Sequence, residues 1–304
     1  MSTRVCHMTS VHPAKDIRIF HKECASLAAH GYDVTLVVPA DEDHKDKNVN
    51  IAAVPQPGTR RERFTHTLYQ VYKRALATNA SLYHFHDPEL FVVALALKAR
   101  GKRVIFDSHE DLPRQVLDKP WIPPLIRPSV SRMTEFFESK SAQRIDAVIG
   151  ATPNIAQRFQ SIGASTAVVR NYPNLNEWST KAPDWKSKNR QAIYVGGITQ
   201  IRGAFEMIAA VKQTDAKLVF AGPLEKAIET KLRNAQSNNE VELRGFLDRP
   251  SVAQCFAESM VGLCVLWPTK SYTASIPIKI LEYMAAGLPV IASDFPSWRE
   301  LVGN

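Results

Sequence analysis

The sequence predicts an α/β protein built from two doubly wound domains, each with a parallel sheet covered by helices. Short β-branched runs alternate with amphipathic helical stretches along the chain, which is typical of parallel strands joined by crossover helices. A segment rich in proline and asparagine at 171–189 interrupts this alternation once. For a chain of 304 residues, we therefore expect an N-terminal domain at 1–172, a linker at 173–190 and a C-terminal domain at 191–304.

In the N-terminal domain, apolar runs predict the strands and a 3.6-residue period predicts the helices. The strands are expected at 4–9, 34–38, 49–54, 82–85, 104–106, 147–149 and 167–169. The helices are expected at 17–30, 61–77, 88–98, 128–141 and 154–161. On the helix at 61–77, we expect Phe64, Leu68 and Val71 to face inward and the basic residues to face outward.

In the C-terminal domain, the alternation restarts and ends in a distinctive stretch at 271–294. Strands are expected at 192–195, 218–220, 241–243, 261–266 and 290–292, and helices at 203–212 and 225–235. A further short helix is expected to have Ser275 as its N-cap, and the strand at 290–292 to be covered on both faces. Lys279 and Glu282 lie three residues apart near the start of that helix, so they share one face.

The start of this helix suits a nucleotide diphosphate, because a helix N-terminus offers free N–H groups and partial positive charge. Lys279 adds a full positive charge, and Glu282 suits two ribose hydroxyls. The alternative is a surface ion pair between Lys279 and Glu282.

The residues that directly follow each strand are candidate site residues, because doubly wound sheets bind ligands at the carboxyl ends of their strands. In the first domain these positions are polar and rich in histidine: Ser10, His12, His86, Asp87, Asp107, His109 and Glu110. In the second domain they are rich in glycine: Gly196, Gly197, Arg202, Gly203 and Gly222. Each alone suits a cap or a turn, but together they predict a binding cleft between the two domains.

Composition indicates an ordinary globular protein, with 45% hydrophobic and 22% charged residues. The sequence contains neither an apolar run of 18 residues nor a signal-peptide core, and its four scattered cysteines suit buried thiols of a cytosolic protein. Residues 1–172 hold 23 Lys and Arg against 17 Asp and Glu. This basic half suits a phosphorylated acceptor or an anionic membrane, and the alternative is a generally basic solvated surface. No nucleic-acid motif occurs, so we expect no nucleic-acid partner.

Metal-ligating patterns are weak. His84 and His86 stand at strand spacing, which would permit joint metal binding, but no third ligand is evident in the sequence. The acidic run at 41–43 lies among lysines and is expected to be a solvated loop. We therefore predict neither a metal nor a cofactor.

Several of these segments together resemble glycosyltransferase family 4, the retaining enzymes of GT-B fold that use nucleotide sugars. The resemblance runs through SVHPAKDIRIFHKECASLAAHGYDVTLV, YHFHDPEL, IFDSHED, VVRNYPN, YVGGITQIRGAFEMI and PIKILEYMAAGLPVIASD. It is nearest to the branch that builds bacterial surface polysaccharides such as lipopolysaccharide and capsule. It implies two Rossmann-like domains facing across a cleft, and a cytoplasmic enzyme at or near the inner face of the cytoplasmic membrane.

The resemblance also implies roles by position. Arg202 and Lys279 match contacts to the donor diphosphate, Glu282 matches a glutamate that holds the ribose, and His109 matches a histidine above the donor sugar. His109, Arg202 and Lys279 are thus the expected catalytic residues. The expected donor-binding residues are Gly197, Arg202, Gly203, Arg244, Phe246, Ser275, Ile276, Pro277, Ile278, Lys279 and Glu282. The expected acceptor-side residues are His12, His86, Asp87, His109 and Glu110.

The sequence departs from the family pattern in four places. The basic residue before Gly203 is Arg202, where lysine is commoner in the family. The first glutamate of the family's paired motif falls on Ala274, and Gly197 stands where many members have arginine. We therefore expect donor recognition to depend more on backbone groups of residues 275–278. The sequence also ends at Asn304, before the last strand–helix units of the family, so we expect an incomplete C-terminal domain.

The resemblance predicts metal-independent transfer of a sugar from a nucleotide sugar to a saccharide or lipid-linked acceptor. Two alternatives stay open: a GT-B sugar-nucleotide epimerase, which needs no acceptor, and a non-catalytic family member that keeps a nucleotide site. Peripheral contact with an anionic membrane is also expected, because basic residues cluster around one amphipathic helix and an apolar, proline-broken segment lies at 121–127 of the same domain. Those basic residues are Arg60, Arg61, Arg63, Lys73 and Arg74.

Overall fold

The computed structural model describes residues 2–119, 121–178, 184–236, 240–273 and 275–302. Contacts within the chain divide it into two units, Met1–Asn171 and Tyr172–Asn304. Each unit contains one sheet with helices packed on it, and nearly all strand pairs are parallel. The predicted α/β class is therefore confirmed.

The first unit has an eight-stranded sheet in the order β3-β4-β2-β1-β5-β6-β7-β8. Its strands are β1 (Arg4–Met8), β2 (Asp33–Pro39), β3 (His44–Asp46), β4 (Val49–Val54), β5 (Leu82–Phe85), β6 (Arg103–Ser108), β7 (Ala147–Gly150) and β8 (Thr166–Val168). The edge strand β3 pairs antiparallel with β4, where the sequence predicts no strand. The order reverses between β1 and β5, which makes the carboxyl ends of these two strands the switch point of the sheet.

The helices of the first unit cover both faces of this sheet. They are Ile17–Cys24, Ala25–Ala29, Arg60–Glu62, Arg63–Thr67, Leu68–Ala77, Pro88–Leu90, Phe91–Lys98, Leu112–Asp118, Arg127–Ala142 and Pro153–Gln160. Ile17–Cys24 and Arg63–Thr67 have π-helical turns, and Pro88–Leu90 is a 3₁₀ turn. The short helix Leu112–Asp118 is not predicted from the sequence. Phe64 is exposed, so its predicted inward orientation is wrong, whereas Leu68 and Val71 are buried as predicted.

The second unit has a five-stranded parallel sheet in the order β11-β10-β9-β12-β13. Its strands are β9 (Gln191–Val195), β10 (Lys217–Ala221), β11 (Val241–Leu243), β12 (Val261–Cys264) and β13 (Val290–Ala292). Its helices are Leu175–Glu177, Gln200–Arg202, Ala204–Val211, Lys226–Gln236, Arg249–Glu258, Lys270–Thr273, Ile278–Ala285 and Pro296–Val302. The order reverses between β9 and β12, so the switch point lies at the end of β9.

Two details of the 271–294 stretch differ from the sequence prediction. The helix begins at Ile278 with Pro277 in the N-cap position, so Ser275 is not the N-cap. The Ser275 hydroxyl instead donates a hydrogen bond to the carbonyl of Tyr272, 3.3 Å away. Strand β13 lies at the edge of the sheet and exposes Ile291, so it is not covered on both faces.

All four cysteines are buried free thiols, as predicted. Burial raises the pKa of Cys6 to about 12 and that of Cys264 to about 11. Across the described residues, none of the helices combines the length and apolar character that crossing a bilayer requires.

Candidate functional site

Two cations of the second unit converge on the glycine turn that follows β9. A side-chain carbon added to Gly196 would lie 3.1 Å from Nζ of Lys279 and 3.7 Å from a terminal guanidinium nitrogen of Arg202. One added to Gly197 would lie 3.0 Å from the same nitrogen of Arg202. The turn is the switch point of the sheet, where doubly wound sheets bind ligands. An anion that approaches this turn therefore meets two positive charges.

Tyrosines hold these two cations in place. Nε of Arg202 donates a hydrogen bond to the hydroxyl of Tyr272 at 3.2 Å. Nζ of Lys279 lies 3.7 Å from the ring centroid of Tyr194, which is close enough for a cation–π contact. Burial, together with the charge of Arg202, lowers the pKa of Lys279 to about 7. A phosphate between the two cations would relieve this repulsion and favour the charged form of Lys279.

Glycines occupy the carboxyl edge of the same sheet, one after each of three adjacent strands. The N–H of Gly196 donates to Ala221 at 2.8 Å, and the N–H of Gly222 donates to Gly245 at 2.7 Å. A side-chain carbon on Gly222 would lie only 2.1 Å from the carbonyl oxygen of Gly196. This edge consequently presents bare backbone, which a ligand can approach closely.

Gly203 joins this edge to the helix Ala204–Val211. Its φ of +75° lies in the left-handed region, and a side-chain carbon there would lie 1.8 Å from the carbonyl oxygen of Val265. The residue therefore has to be glycine, and it places Arg202 directly before the helix.

Arg244 and Phe246 follow β11 at the far side of this edge. Nε of Arg244 donates to Glu242 at 2.8 Å, so its side chain is held by a neighbour of its own segment. Phe246 is 87% exposed. The resemblance also implies that the backbone of residues 244–247 binds the base of the donor, and this stays a prediction.

The segment before the helix Ile278–Ala285 contains the other expected donor-binding residues. Ile276 is exposed. Pro277 and Ile278 lie at the start of the helix, directly before Lys279. Ala274, where the family has the first glutamate of its paired motif, lies outside the described residues.

Glu282 is buried and forms an ion pair, but its partner is not the one that the sequence suggests. Among the described residues, Glu282 pairs with Arg249 at 2.9 Å rather than with Lys279. Arg249 also contacts Glu177 at 2.6 Å and lies over the ring of Trp178. Sequence reasoning missed Arg249, although Asp248 and Pro250 form an N-cap signal for its helix.

In the first unit, the switch point between β1 and β5 carries a network centred on Asp87. This carboxylate accepts hydrogen bonds from the hydroxyl of Thr9 at 2.7 Å and the backbone N–H of Ser10 at 2.6 Å, and it lies 3.0 Å from Nδ1 of His12. Burial opposes ionisation of Asp87, but His12 and the other donors hold its pKa well below the usual range. The contact with Asp87 in turn raises the pKa of His12 against the effect of burial.

A second network is centred on Asp107 at the end of β6. Arg18 binds this carboxylate with two nitrogens, at 2.8 and 2.6 Å. Nδ1 of His86 lies 3.2 Å from Asp107, and Nδ1 of His109 lies 3.4 Å from it. Although Asp107 is buried, these donors hold its pKa well below the usual range.

Both networks border one cavity of about 570 Å³. The cavity brings together all five residues expected on the acceptor side: His12, His86, Asp87, His109 and Glu110. Arg60, Phe64 and Trp121 form another part of its wall. The wall thus combines histidines and carboxylates with an aromatic part, where Arg60 and Lys119 lie over the ring of Trp121.

The basic cluster expected at the membrane is smaller than the sequence suggests. Arg63 forms an ion pair with Glu89, and Arg74 forms one with Asp43. The guanidinium of Arg60 lies 5.5 Å from the ring centroid of Trp121, beside the cavity.

Comparisons with known proteins identify the family of the chain. Residues 18–174 match the family model of the glycosyl transferase 4-like domain, and residues 189–304 match that of glycosyl transferases group 1. The chain therefore belongs to the glycosyltransferases of the family 4 type. No curated protein matches the sequence.

Solved structures confirm the GT-B fold class. Sucrose-phosphate synthase from Thermosynechococcus elongatus has a TM-score of 0.75 and 18% identity, over 98% of this chain and 83% of that one. Anabaena HepE, solved with UDP and glucose, has a TM-score of 0.71 and 16% identity, over 99% and 83%. WaaG, a glycosyltransferase of lipopolysaccharide biosynthesis, has a TM-score of 0.69 and 15% identity, over 98% and 83%.

Proposed function

We propose that this protein transfers a sugar from a nucleotide sugar to a saccharide or lipid-linked acceptor in the synthesis of cell-surface polysaccharide. We further propose that transfer retains the configuration at the anomeric carbon and needs no metal ion. The observation that carries the proposal is the convergence of Arg202 and Lys279 on the glycine turn after β9. Two cations beside bare backbone at a switch point are the features that a nucleoside diphosphate requires.

The same two cations account for the chemistry. When the bond between the anomeric carbon and the diphosphate oxygen breaks, the sugar becomes oxocarbenium-like and negative charge develops on the leaving phosphate. Arg202 and Lys279 stabilise that charge, which is the role that a metal ion has in other transferases. The acceptor oxygen attacks the same face of the sugar, and its proton passes to the leaving phosphate.

The acceptor is proposed to bind in the cavity of the first unit. Asp87 and His12 offer hydrogen-bonding groups for sugar hydroxyls, and His109 orients the reacting groups. HepE, solved with UDP and glucose, and WaaG, a glycosyltransferase of lipopolysaccharide biosynthesis, support a saccharide substrate. Two alternative functions make different predictions. An epimerase of the same fold would not need an acceptor, and a non-catalytic family member would not turn over its donor.

A thermal-shift screen against UDP, GDP, dTDP and ADP would identify the base, and binding to variants would test the site. We expect Arg202→Ala and Lys279→Ala each to weaken the nucleoside diphosphate by about 1.5–3 kcal/mol and to leave the nucleoside unchanged, because each removes a charge-assisted contact to phosphate. The exposed Lys226→Ala is the control, and it should change neither affinity. Equal losses for diphosphate and nucleoside would contradict the phosphate assignment.

Turnover distinguishes the alternatives. Release of nucleoside diphosphate that requires an acceptor supports transfer, whereas conversion of the donor alone indicates an epimerase. Tight binding without turnover of any donor indicates a non-catalytic member. Turnover that appears only after addition of Mg²⁺ or Mn²⁺ would contradict the metal-free mechanism.

We also propose that the first unit contacts an anionic membrane beside its cavity. Phe64, Trp121, Leu125 and Ile126 are exposed apolar residues, and Leu125 is 94% exposed. Nζ of Lys119 lies 5.0 Å from the ring centroid of Trp121, so a cation accompanies the exposed indole. Indole, aliphatic groups and cations together suit the region between headgroups and acyl chains. A lipid-linked acceptor could then enter the cavity from the bilayer surface.

A further inference from the structure

Four potential metal ligands come together between the helix Ile17–Cys24 and strands β1 and β5 of the first unit. His7 on β1 and His84 on β5 are paired in register, and His86 follows two residues later on the same face. Glu23 lies on the helix Ile17–Cys24, and its carboxylate faces all three imidazoles. Its Oε2 lies 4.0 Å from Nδ1 of His7, 4.0 Å from Nε2 of His84 and 3.9 Å from Nε2 of His86. Nδ1 of His7 lies 3.0 Å from Nε2 of His86.

The cluster is buried and its polar atoms are poorly satisfied. The three histidines are at most 5% exposed. Within the described part of the chain, Oε2 of Glu23 and Nε2 of His84 have no hydrogen-bond partner, whereas Oε1 of Glu23 forms an ion pair with Nε of Arg18 at 3.0 Å. Buried polar atoms are almost always hydrogen-bonded, so these two atoms, beside two further imidazoles, call for an occupant.

We propose that Nδ1 of His7, Oε2 of Glu23, Nε2 of His84 and Nε2 of His86 bind one divalent transition metal, most favourably Zn²⁺. These atoms all lie within 4.8 Å of one another. A tetrahedral zinc with bonds of about 2.0–2.1 Å places its ligand atoms about 3.3 Å apart, so shifts of roughly 1 Å would close the site. Three imidazoles and one carboxylate favour zinc over Mg²⁺ or Ca²⁺, which prefer oxygen ligands.

The residues around the cluster also resemble those around known metal ions, because a carboxylate supports one of the histidines. His86 presents its other nitrogen to Asp107 at 3.2 Å, and Arg18 holds Asp107 with two hydrogen bonds. A carboxylate behind a histidine orients the ring and fixes which nitrogen is free to bind a metal. Arg18 and Glu23 lie on the same helix, so the helix supplies both a ligand and the residue that positions the supporting carboxylate.

The metal would have a structural role and is independent of the proposed transfer reaction. It would join β1, β5 and the first helix under the floor of the cavity that His86 borders. It lies in a different unit from Arg202 and Lys279, so a bound zinc is compatible with metal-free stabilisation of the leaving phosphate.

The test is metal analysis of the untagged full chain, followed by Co²⁺ substitution. We expect about one equivalent of zinc per chain after growth in zinc-supplemented medium and gel filtration. In chelator-treated protein, Co²⁺ should produce the visible d–d absorption of a tetrahedral site without thiolate charge transfer, because the proposed ligands are nitrogen and oxygen. Adding Zn²⁺ should raise the melting temperature of the stripped protein.

Three variants locate the site. His84→Gln and Glu23→Gln should each lose the Co²⁺ spectrum or weaken metal binding at least tenfold, whereas the exposed His44→Gln should bind like the unmodified protein. If a ligand variant does not fold, the Co²⁺ spectrum of the unmodified chain decides: a tetrahedral spectrum without thiolate bands supports the site. Zinc below about 0.1 equivalent with no response to added Zn²⁺ or Co²⁺ would overturn the proposal. Metal that both ligand variants retain, or thiolate bands, would overturn it as well.

Discussion

At the scale of single residues, Lys279 is expected to couple nucleotide binding to the uptake of a proton. Its pKa of about 7 results from burial and from the nearby Arg202, and both penalties diminish when a diphosphate lies between the two cations. The lysine should therefore take up a proton when a nucleotide sugar binds near or above neutral pH.

This predicts that nucleotide-sugar affinity depends on pH. The pKa is low in the free protein and raised in the complex, so affinity should be constant well below pH 7 and fall as pH rises through about 7. Above about pH 7, the affinity should fall by up to about tenfold per pH unit, until the pH exceeds the pKa that Lys279 has in the complex. Titration calorimetry from pH 6 to 8.5 in buffers of different ionisation enthalpy would measure affinity and proton uptake together.

Lys279→Arg is the matched control, because arginine stays charged throughout this range. Its affinity should be nearly independent of pH. A pH dependence that persists unchanged in this variant would assign the proton to another group.

Glu282 provides a second residue-scale prediction. Glu282→Gln should weaken ribonucleotides about fivefold more than their 2′-deoxy analogues, because a carboxylate is a better acceptor for a ribose hydroxyl than an amide is. Arg249 keeps Glu177 as a partner in this variant, so the fold should persist. Isothermal titration with matched ribo- and deoxyribonucleotides measures the difference, and equal losses would place Glu282 away from the 2′-hydroxyl.

Single residues also show where sequence reasoning succeeds and fails. Arg202 and Lys279 stand out because a cation after a glycine turn and one at a helix start are both local signals. His7 and Glu23 do not stand out, because they meet His84 only through strand register and helix placement. Arg249 was missed for the same reason, since its pairing with Glu282 joins two distant helices.

At the scale of elements, the turn from β9 into the helix Ala204–Val211 depends on Gly203. Its left-handed φ and its close approach to Val265 both exclude a side chain. By contrast, Gly31 has a left-handed φ of +87° but nothing within 4 Å of the added carbon. The two glycines therefore separate the effect of backbone conformation from that of close packing.

We expect Gly31→Ala to lower the free energy of unfolding by about 1–2 kcal/mol, which is the cost of a left-handed non-glycine residue. Gly203→Ala should lower it by more than this and should also weaken nucleotide binding, because the turn must move away from Val265 and carries Arg202 with it. Urea unfolding and nucleotide titration of both variants would measure the two effects. Equal stability losses would show that the contact with Val265 is easily relaxed.

The helix Ile278–Ala285 shows why element boundaries are harder to predict than elements. Its apolar spacing and the following Gly287 predicted it from the sequence, but the N-cap was placed on Ser275. In the structure the Ser275 hydroxyl bonds back to Tyr272, and its carbonyl accepts a hydrogen bond from Trp298 at 2.6 Å. These partners outweigh the capping preference of serine, so the N-cap is Pro277 and the helix starts two residues later than predicted.

At the scale of the whole molecule, both sheets place their polar and glycine-rich segments at a switch point. This follows from the strand order, which reverses between β1 and β5 in one sheet and between β9 and β12 in the other. The alternation of strands and helices was enough to predict which chain segments follow the strands, and their role in ligand binding stays a prediction. It could not predict the edge strand β3, whose short polar sequence has no apolar alternation.

Membrane contact gives a prediction for the intact molecule. The chain should co-sediment with anionic liposomes at low salt and lose binding at high salt, since each basic residue near the surface contributes about 1 kcal/mol. A Trp121→Ser, Arg60→Glu, Arg61→Glu variant should bind at least tenfold more weakly. Liposomes with and without anionic lipid, in sedimentation assays at two salt concentrations, would measure this.

The matched control carries the same changes in the second unit, as Trp185→Ser, Lys212→Glu and Lys226→Glu, all at exposed or partly exposed positions. It should bind liposomes like the unmodified protein. Equal loss of liposome binding in both variants would show that binding depends only on net charge. Absence of binding at low salt would contradict the membrane proposal.

The burial of all four cysteines has a practical consequence for labelling. Because only the thiolate reacts with maleimides, and burial raises the pKa of each native thiol, the native cysteines should react slowly. A cysteine introduced at the exposed Lys226, together with one at Leu125, would then be modified selectively without removing any native cysteine. A donor–acceptor dye pair at those two positions would report by energy transfer whether the separation between the two units changes when a nucleotide is added.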